Sequence, residues 1–232
     1  MNCIIASTST IHGSSYLEYL KSALSTHFAD IDEVLFIPYA RPSGLTYDEY
    51  TVKAQAGLKP LGKTVKGIHE FENPQQAIEK AQAIFVGGGN TFLLVKTLQD
   101  QNLMSVLKEK ITSGSPYLGT SAGSNICGLT MQTTNDMPIV MPQSFETLGI
   151  LPFNINAHYL EPDENSTHKG ETRRTRVKEF QVFNEVNVIG LKEGSWLEIK
   201  DDKIKLKGEM DAVWFEPGEK PKLIQKDALI FK

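Results

Sequence analysis

The 232 residues are 40% hydrophobic and 22% charged, the composition of an ordinary globular chain, which excludes disordered, fibrous and membrane-embedded classes. The 28 acidic residues exceed the 24 Lys plus Arg and leave a net charge of -4, so no general basic field exists to hold nucleic acid or an anionic membrane. Two cysteines, Cys3 and Cys127, are too few for a disulfide framework or a zinc cage and point to a reducing, cytoplasmic compartment.

The N-terminal stretch Met1 to Ala6 has no positive region and too short an apolar run to be expected as a targeting or spanning segment. Cys3 to Ala6 reads instead as a first strand, followed by strands at Val34 to Ile37, Val65 to His69, Ala83 to Val86 and Pro116 to Leu118. Helical patterns alternate with them at Tyr16 to Thr26, Tyr47 to Leu58, Pro74 to Lys80 and Phe92 to Ile111, the last broken near Asp100-Gln101-Asn102. This alternation predicts an α/β fold around a parallel sheet. Beyond about residue 128 the chain turns rich in Pro, Asn, Thr and Met over Met131 to Pro142, and then loop-rich as far as Gly170. A helix is then expected at Thr172 to Phe183, a strand within Asn187 to Leu191, and a hairpin of Trp196 to Lys200 with Lys203 to Lys207 about Asp201-Asp202. No linker or repeat interrupts the chain, which predicts one domain over 1–232 with an antiparallel C-terminal edge.

The sharpest local motif is Gly119-Thr120-Ser121-Ala122-Gly123, which fits Gly-x-Ser-x-Gly between an apolar strand and a helix-compatible run. At such an elbow the serine hydroxyl is pushed out at the C-terminal end of the sheet, and the next amide, that of Ala122, points at a developing oxyanion. A plain glycine turn is the competing explanation. A second cluster, Gly87-Gly88-Gly89-Asn90, follows another strand and would reach the same sheet edge, where Gly88 and Gly89 offer further oxyanion amides. Asn90 either caps the next helix or faces the substrate. A phosphate loop is disfavoured, because neither the Lys-Ser/Thr of a Walker motif nor the Gly-x-Gly-x-x-Gly spacing is present.

A serine nucleophile needs a base, and the candidates are His12, His27, His69, His158 and His168. His158, at the end of the apolar segment Leu151 to Ile155, is favoured over His168 in its very polar loop. The orienting acceptor is either Asp136, in Thr133 to Pro138, or Glu193, just past the strand ending at Leu191; the rigid strand favours Glu193, and each has an ordinary alternative, Asp136 as a turn residue and Glu193 as the partner of Lys192. Only four arginines occur, and Arg173, Arg174 and Arg176 fall together; Arg173, nearest the loop, is the candidate carboxylate reader, against a plain solvated helix face. No His/Glu spacing supports a metal site.

Taken together, Gly87 to Phe92, Gly119 to Gly123, Thr134 to Val140, His168 to Arg173 and Val188 to Leu191 resemble peptidase E, the α-aspartyl dipeptidase family of serine peptidases. The resemblance implies a three-layer sandwich similar to class I glutamine amidotransferases and hydrolysis of small dipeptides with N-terminal aspartate in the cytoplasm; the serine chemistry requires no cofactor, and a monomer or homodimer is expected. It implies Ser121 as nucleophile and His158 as base, and leaves Glu193 and Asp136 both open as the third member. Two other outcomes belong to the same fold: a cyanophycinase-like hydrolase of aspartyl-arginine units, and a non-catalytic small-molecule-binding module.

Overall fold

The computed structural model describes residues 1–162, 170–201 and 203–231. In chain order they form β1 (Asn2–Ala6), α1 (Lys21–His27), β2 (Glu33–Ile37), α2 (Tyr47–Leu58), β3 (Thr64–Gly67), α3 (Pro74–Lys80), β4 (Ala83–Val86), α4 (Thr91–Asp100), α5 (Met104–Thr112), β5 (Tyr117–Thr120) and the short α6 (Ala122–Asn125). There follow β6 (Asn154–Ala157), α7 (Arg173–Phe183), β7 (Val188–Leu191), β8 (Ser195–Lys200), β9 (Lys203–Gly208), β10 (Ala212–Phe215), β11 (Lys222–Ile224) and β12 (Leu229–Phe231).

The main sheet has the order β12-β9-β8-β1-β5-β4-β2-β3. Its pairings from β1 through β5, β4 and β2 to β3 are parallel, and those of β8, β9 and β12 are antiparallel. The parallel strands are apolar on both faces because both are covered. Alternate residues face opposite ways: Ile4, Ala6, Val34, Phe36 and Phe85 meet Leu20, Leu24, Tyr50 and Leu58 of the α1–α2 layer. Cys3, Ile5, Leu35, Ile37, Ile84 and Val86 meet Ile78, Leu94, Leu98, Leu107 and Ile111 of the α3–α5 layer. The result is the expected α/β sandwich with an antiparallel C-terminal edge.

Three local expectations change. The third strand stops at Gly67, and Ile68–Glu70 is a 3₁₀ turn, because the Glu70 carboxylate accepts from the Gly67 amide at 2.5 Å and closes the chain on itself. The helix expected from Tyr16 begins as a 3₁₀ turn at Glu18–Leu20, since Leu17 takes the left-handed φ of 61°. A second sheet, β11-β10-β7-β6, was not expected at all. Its strand β6 reads Asn-Ile-Asn-Ala and is buried throughout, its asparagines satisfied by Thr130 and by the Thr133 carbonyl. This second sheet carries the segments that end at His158 and lead to Glu193.

Candidate active site

β5 ends in a sharp turn into α6, and Ser121 occupies the corner with φ 54° and ψ -110°, a conformation that an L-residue adopts only under constraint. The constraints are visible: the Ser121 amide donates to the Ala6 carbonyl at 3.1 Å, while Ser124 Oγ donates to that same carbonyl at 2.6 Å. Tyr117 Oη holds the Gly123 carbonyl at 2.6 Å. The motif glycines act by lacking bulk, since a Cβ on Gly123 would run into the Val86 carbonyl and one on Gly119 into Gly123. The positive φ belongs to the serine itself.

His158 follows β6 and meets Ser121 from the other sheet, with Nε2 2.8 Å from Oγ. Its Nδ1 lies 2.6 Å from Glu193 Oε1. An ionised carboxylate only accepts, so this contact assigns the proton to Nδ1 and leaves Nε2 free to accept from the serine hydroxyl. Glu193 sits in the turn between β7 and β8, which is closed by bonds from the Ser195 amide (3.1 Å) and Ser195 Oγ (2.6 Å) to the Lys192 carbonyl. The pair is moderately open, His158 at 33% and Glu193 at 48% side-chain exposure.

The Gly88–Gly89 loop packs directly on the elbow, for a Cβ on Gly88 would lie 3.0 Å from Ser121 Cβ and 3.6 Å from its Oγ. Tyr50 Oη donates to the Gly88 carbonyl at 3.1 Å. In a trans peptide the N–H opposes the C=O, so this inward tie turns the Gly89 amide the other way. Gly89 has φ 144° and sits where a side chain would strike the Ala40 carbonyl. Among the described residues the Gly88 and Gly89 amides have no acceptor. Ala122 opens α6, where the first amides have no acceptor within the helix.

Asp136 is not in contact with His158. Its Oδ2 accepts from the Thr91 amide (2.7 Å), Thr91 Oγ1 (2.5 Å) and Thr134 Oγ1 (3.0 Å), so it secures the start of α4 beside the glycine loop. Asn90 caps α4 through Oδ1 to the Leu93 amide at 3.0 Å and donates to the Met137 carbonyl at 2.8 Å, leaving one Nδ2 hydrogen for a ligand.

Arg173 is the first residue of α7, capped by Thr172, and its buried Nη1 has no hydrogen-bond partner. Burial pulls this guanidinium below its usual pKa, against the field of Glu193 and helped by Arg176. Arg174 differs, being bonded to Glu161 at 2.6 Å. His27 is half-buried with its ring on the Tyr117 carbonyl at 3.1 Å, His69 pairs with Asp48 at 3.0 Å, and His12 is exposed. His168 and Lys169 lie outside the described residues, as does Asp202. Among the described residues no three His, Cys, Asp or Glu side chains converge as metal ligands, and no helix is long and apolar enough to cross a membrane.

Two contributors escaped the sequence reading: Tyr50, which turns the glycine loop, and Ser7, which touches His158. The only hint of Ser7 was the polar run Ser7 to Thr10 just past a strand, at the sheet edge where sites form.

The model of peptidase family S51 matches residues 3–207. Peptidase E of Streptomyces coelicolor is 45% identical over 222 residues, covering 96% of this chain and 90% of that protein. A Drosophila melanogaster protein named "Probable alpha-aspartyl dipeptidase" is 42% identical over 218 residues, covering 93% and 90% respectively. A crystal structure of a peptidase from an acI-B1 actinobacterium superposes with a TM-score of 0.72 at 18% identity, covering 100% of this chain and 96% of that one; it shares the fold.

Proposed function

The chain belongs to peptidase family S51, and from that premise we propose that it is a serine-type dipeptidase that hydrolyses dipeptides carrying an N-terminal aspartate. The observation that carries this reading is the unbroken line from Glu193 through His158 to Ser121, at 2.6 and 2.8 Å, ending on a strained serine at the sheet edge. The names of the Streptomyces and Drosophila relatives support the substrate class.

In this mechanism Ser121 Oγ attacks the aspartyl carbonyl carbon while its proton passes to His158 Nε2. The resulting imidazolium is held against Glu193, and the oxyanion is met by amides of Ala122 and the Gly88–Gly89 loop. Collapse breaks the C–N bond, His158 returns the proton to the leaving amine, and an aspartyl ester remains on Ser121. Water, deprotonated by His158, then attacks the ester carbonyl, the C–O bond to Ser121 breaks as Oγ takes the proton back from His158, and aspartate is released.

The free Nη1 of Arg173 is the partner for the aspartyl side-chain carboxylate, in a chain otherwise nearly without arginine. The Oδ1 of Asp136 faces no partner among the described residues and suits the substrate ammonium group. Both cysteines are free and buried, which supports action in the reducing cytoplasm. A fluorophosphonate probe tests the nucleophile: labelling should fall on the peptide containing Ser121 and vanish in Ser121→Ala. Labelling undiminished in that variant would remove Ser121 from the role.

A further inference from the structure

Ser7 directly follows β1 and is fully buried, yet its hydroxyl joins two segments 151 and 184 residues away. Oγ accepts from the His158 amide at 2.9 Å and donates to the Leu191 carbonyl at 2.7 Å. That carbonyl also accepts from the Tyr159 amide at 3.0 Å, so both residues at the end of β6 are tied to the end of β7 through one point. The Ser7 amide in turn donates to the Ser195 carbonyl at 3.1 Å, on the far side of the turn that bears Glu193. The preceding residue, Ala6, holds the Ser121 amide. The dipeptide Ala6-Ser7 therefore touches the backbone beneath all three groups of the line, although the two sheets deliver them separately.

The need for such a clamp follows from His158 itself. It has a left-handed φ of 55° and stands one residue past its strand, where no ladder partner fixes its backbone. A hydroxyl is the right group, because it accepts from an amide and donates to a carbonyl at the same time.

We infer that Ser7 is a positioning residue: its hydroxyl sets the distances of the His158 imidazole from Ser121 and Glu193 by clamping the His158 amide to the end of β7. The inference rests on the reading of His158 as the base of Ser121. Removal of the hydroxyl frees the His158 amide and leaves substrate contacts at Arg173 and Asp136 in place, so it acts on kcat and not on KM.

The experiment compares Ser7→Ala and Ser7→Thr with the wild-type chain on Asp-Leu, alongside proton NMR of the imidazole N–H between His158 and Glu193. Ser7→Ala should lower kcat about ten- to hundredfold, the scale of a misplacement near 1 Å. KM should stay unchanged, and the downfield N–H resonance, assigned by its loss in His158→Ala, should shift or broaden. Ser7→Thr, which keeps the hydroxyl, should recover most of kcat and the resonance. If Ser7→Ala does not fold, Ser7→Cys fills the space with a weak hydrogen-bonding group and is read in the same way. Wild-type kcat per folded molecule, or an unmoved resonance, overturns the inference. Turnover retained in Ser121→Ala would instead strike the serine mechanism, and the resonance would still report on Ser7.

Discussion

The imidazole of His158 stands 2.8 Å from the hydroxyl of Ser121 although the two residues leave different sheets and lie 37 positions apart. Residues acting as one unit lose most of their effect when either is removed. Ser121→Ala and His158→Ala are each expected to lower kcat by roughly three orders of magnitude or more with the fold intact by circular dichroism. The backbone adds a second, independent expectation. Because Ser121 is held at φ 54°, Ser121→Gly should be more stable than Ser121→Ala by about 1 kcal/mol in urea unfolding, the strain relieved outweighing the added chain entropy.

Glu193 and Asp136 differ in what they touch, and their amide variants should differ in kind. Glu193→Gln disrupts the acceptor that keeps the Nδ1 proton of His158, so kcat should fall by about two orders of magnitude or more while KM holds. Asp136→Asn weakens the cap on α4 and the proposed ammonium contact, so KM should rise and discrimination against N-acetyl-Asp-Leu should relax. Steady-state kinetics on both substrates check the split. Abolished turnover in Asp136→Asn with KM intact, together with a silent Glu193→Gln, would reverse the two roles.

Arg173→Gln should lower kcat/KM for Asp-Leu by about two orders of magnitude and leave Asn-Leu nearly unaffected, since only the charged side chain loses its partner. The ratio of the two values is the measurement. A parallel loss on both substrates would make Arg173 a structural residue.

His27 gives the stability a pH dependence. Burial lowers its pKa from 6.5 to about 4, partly opposed by its bond to the Tyr117 carbonyl. The folded state thus favours the neutral ring, and as pH falls below 6.5 the unfolded chain takes up the proton first. Stability contributed by this residue is present above that value and is lost by about 3 kcal/mol in all as pH drops to the folded-state pKa. Urea unfolding between these limits should show that slope, and His27→Gln, which keeps a donor for Tyr117, should flatten it.

What was legible in the sequence depended on how local its cause is. The parallel sheet shows in runs such as Ala83 to Val86 because every residue there is buried, and a helix such as Pro74–Lys80 shows because proline suits the first helical turn. Ser121 shows because the close approach of Gly123 to Val86 demands a glycine at a fixed offset. The second sheet did not show. A strand written Asn-Ile-Asn-Ala reads as loop, and only its tertiary bonds to Thr130 and Thr133 make it buried structure. Ser7 showed only as part of a polar run past a strand, because its meaning lies in partners more than half the chain away. Only the rigidity of the preceding strand favoured Glu193 over Asp136 in sequence, because each lies near a plausible edge; the contact of Glu193 with His158 and of Asp136 with Thr91 is information that only the packed chain holds.

The measurement that tests the proposed activity most directly is kcat/KM of the purified wild-type chain for Asp-Leu, Asn-Leu and N-acetyl-Asp-Leu, with Ser121→Ala as the control. Asp-Leu should be cleaved, Asn-Leu and the acetylated peptide should be poorer by about two orders of magnitude or more, and Ser121→Ala should be inactive on all three. Equal values for the Asp and Asn dipeptides, or near-native turnover by Ser121→Ala, would contradict it.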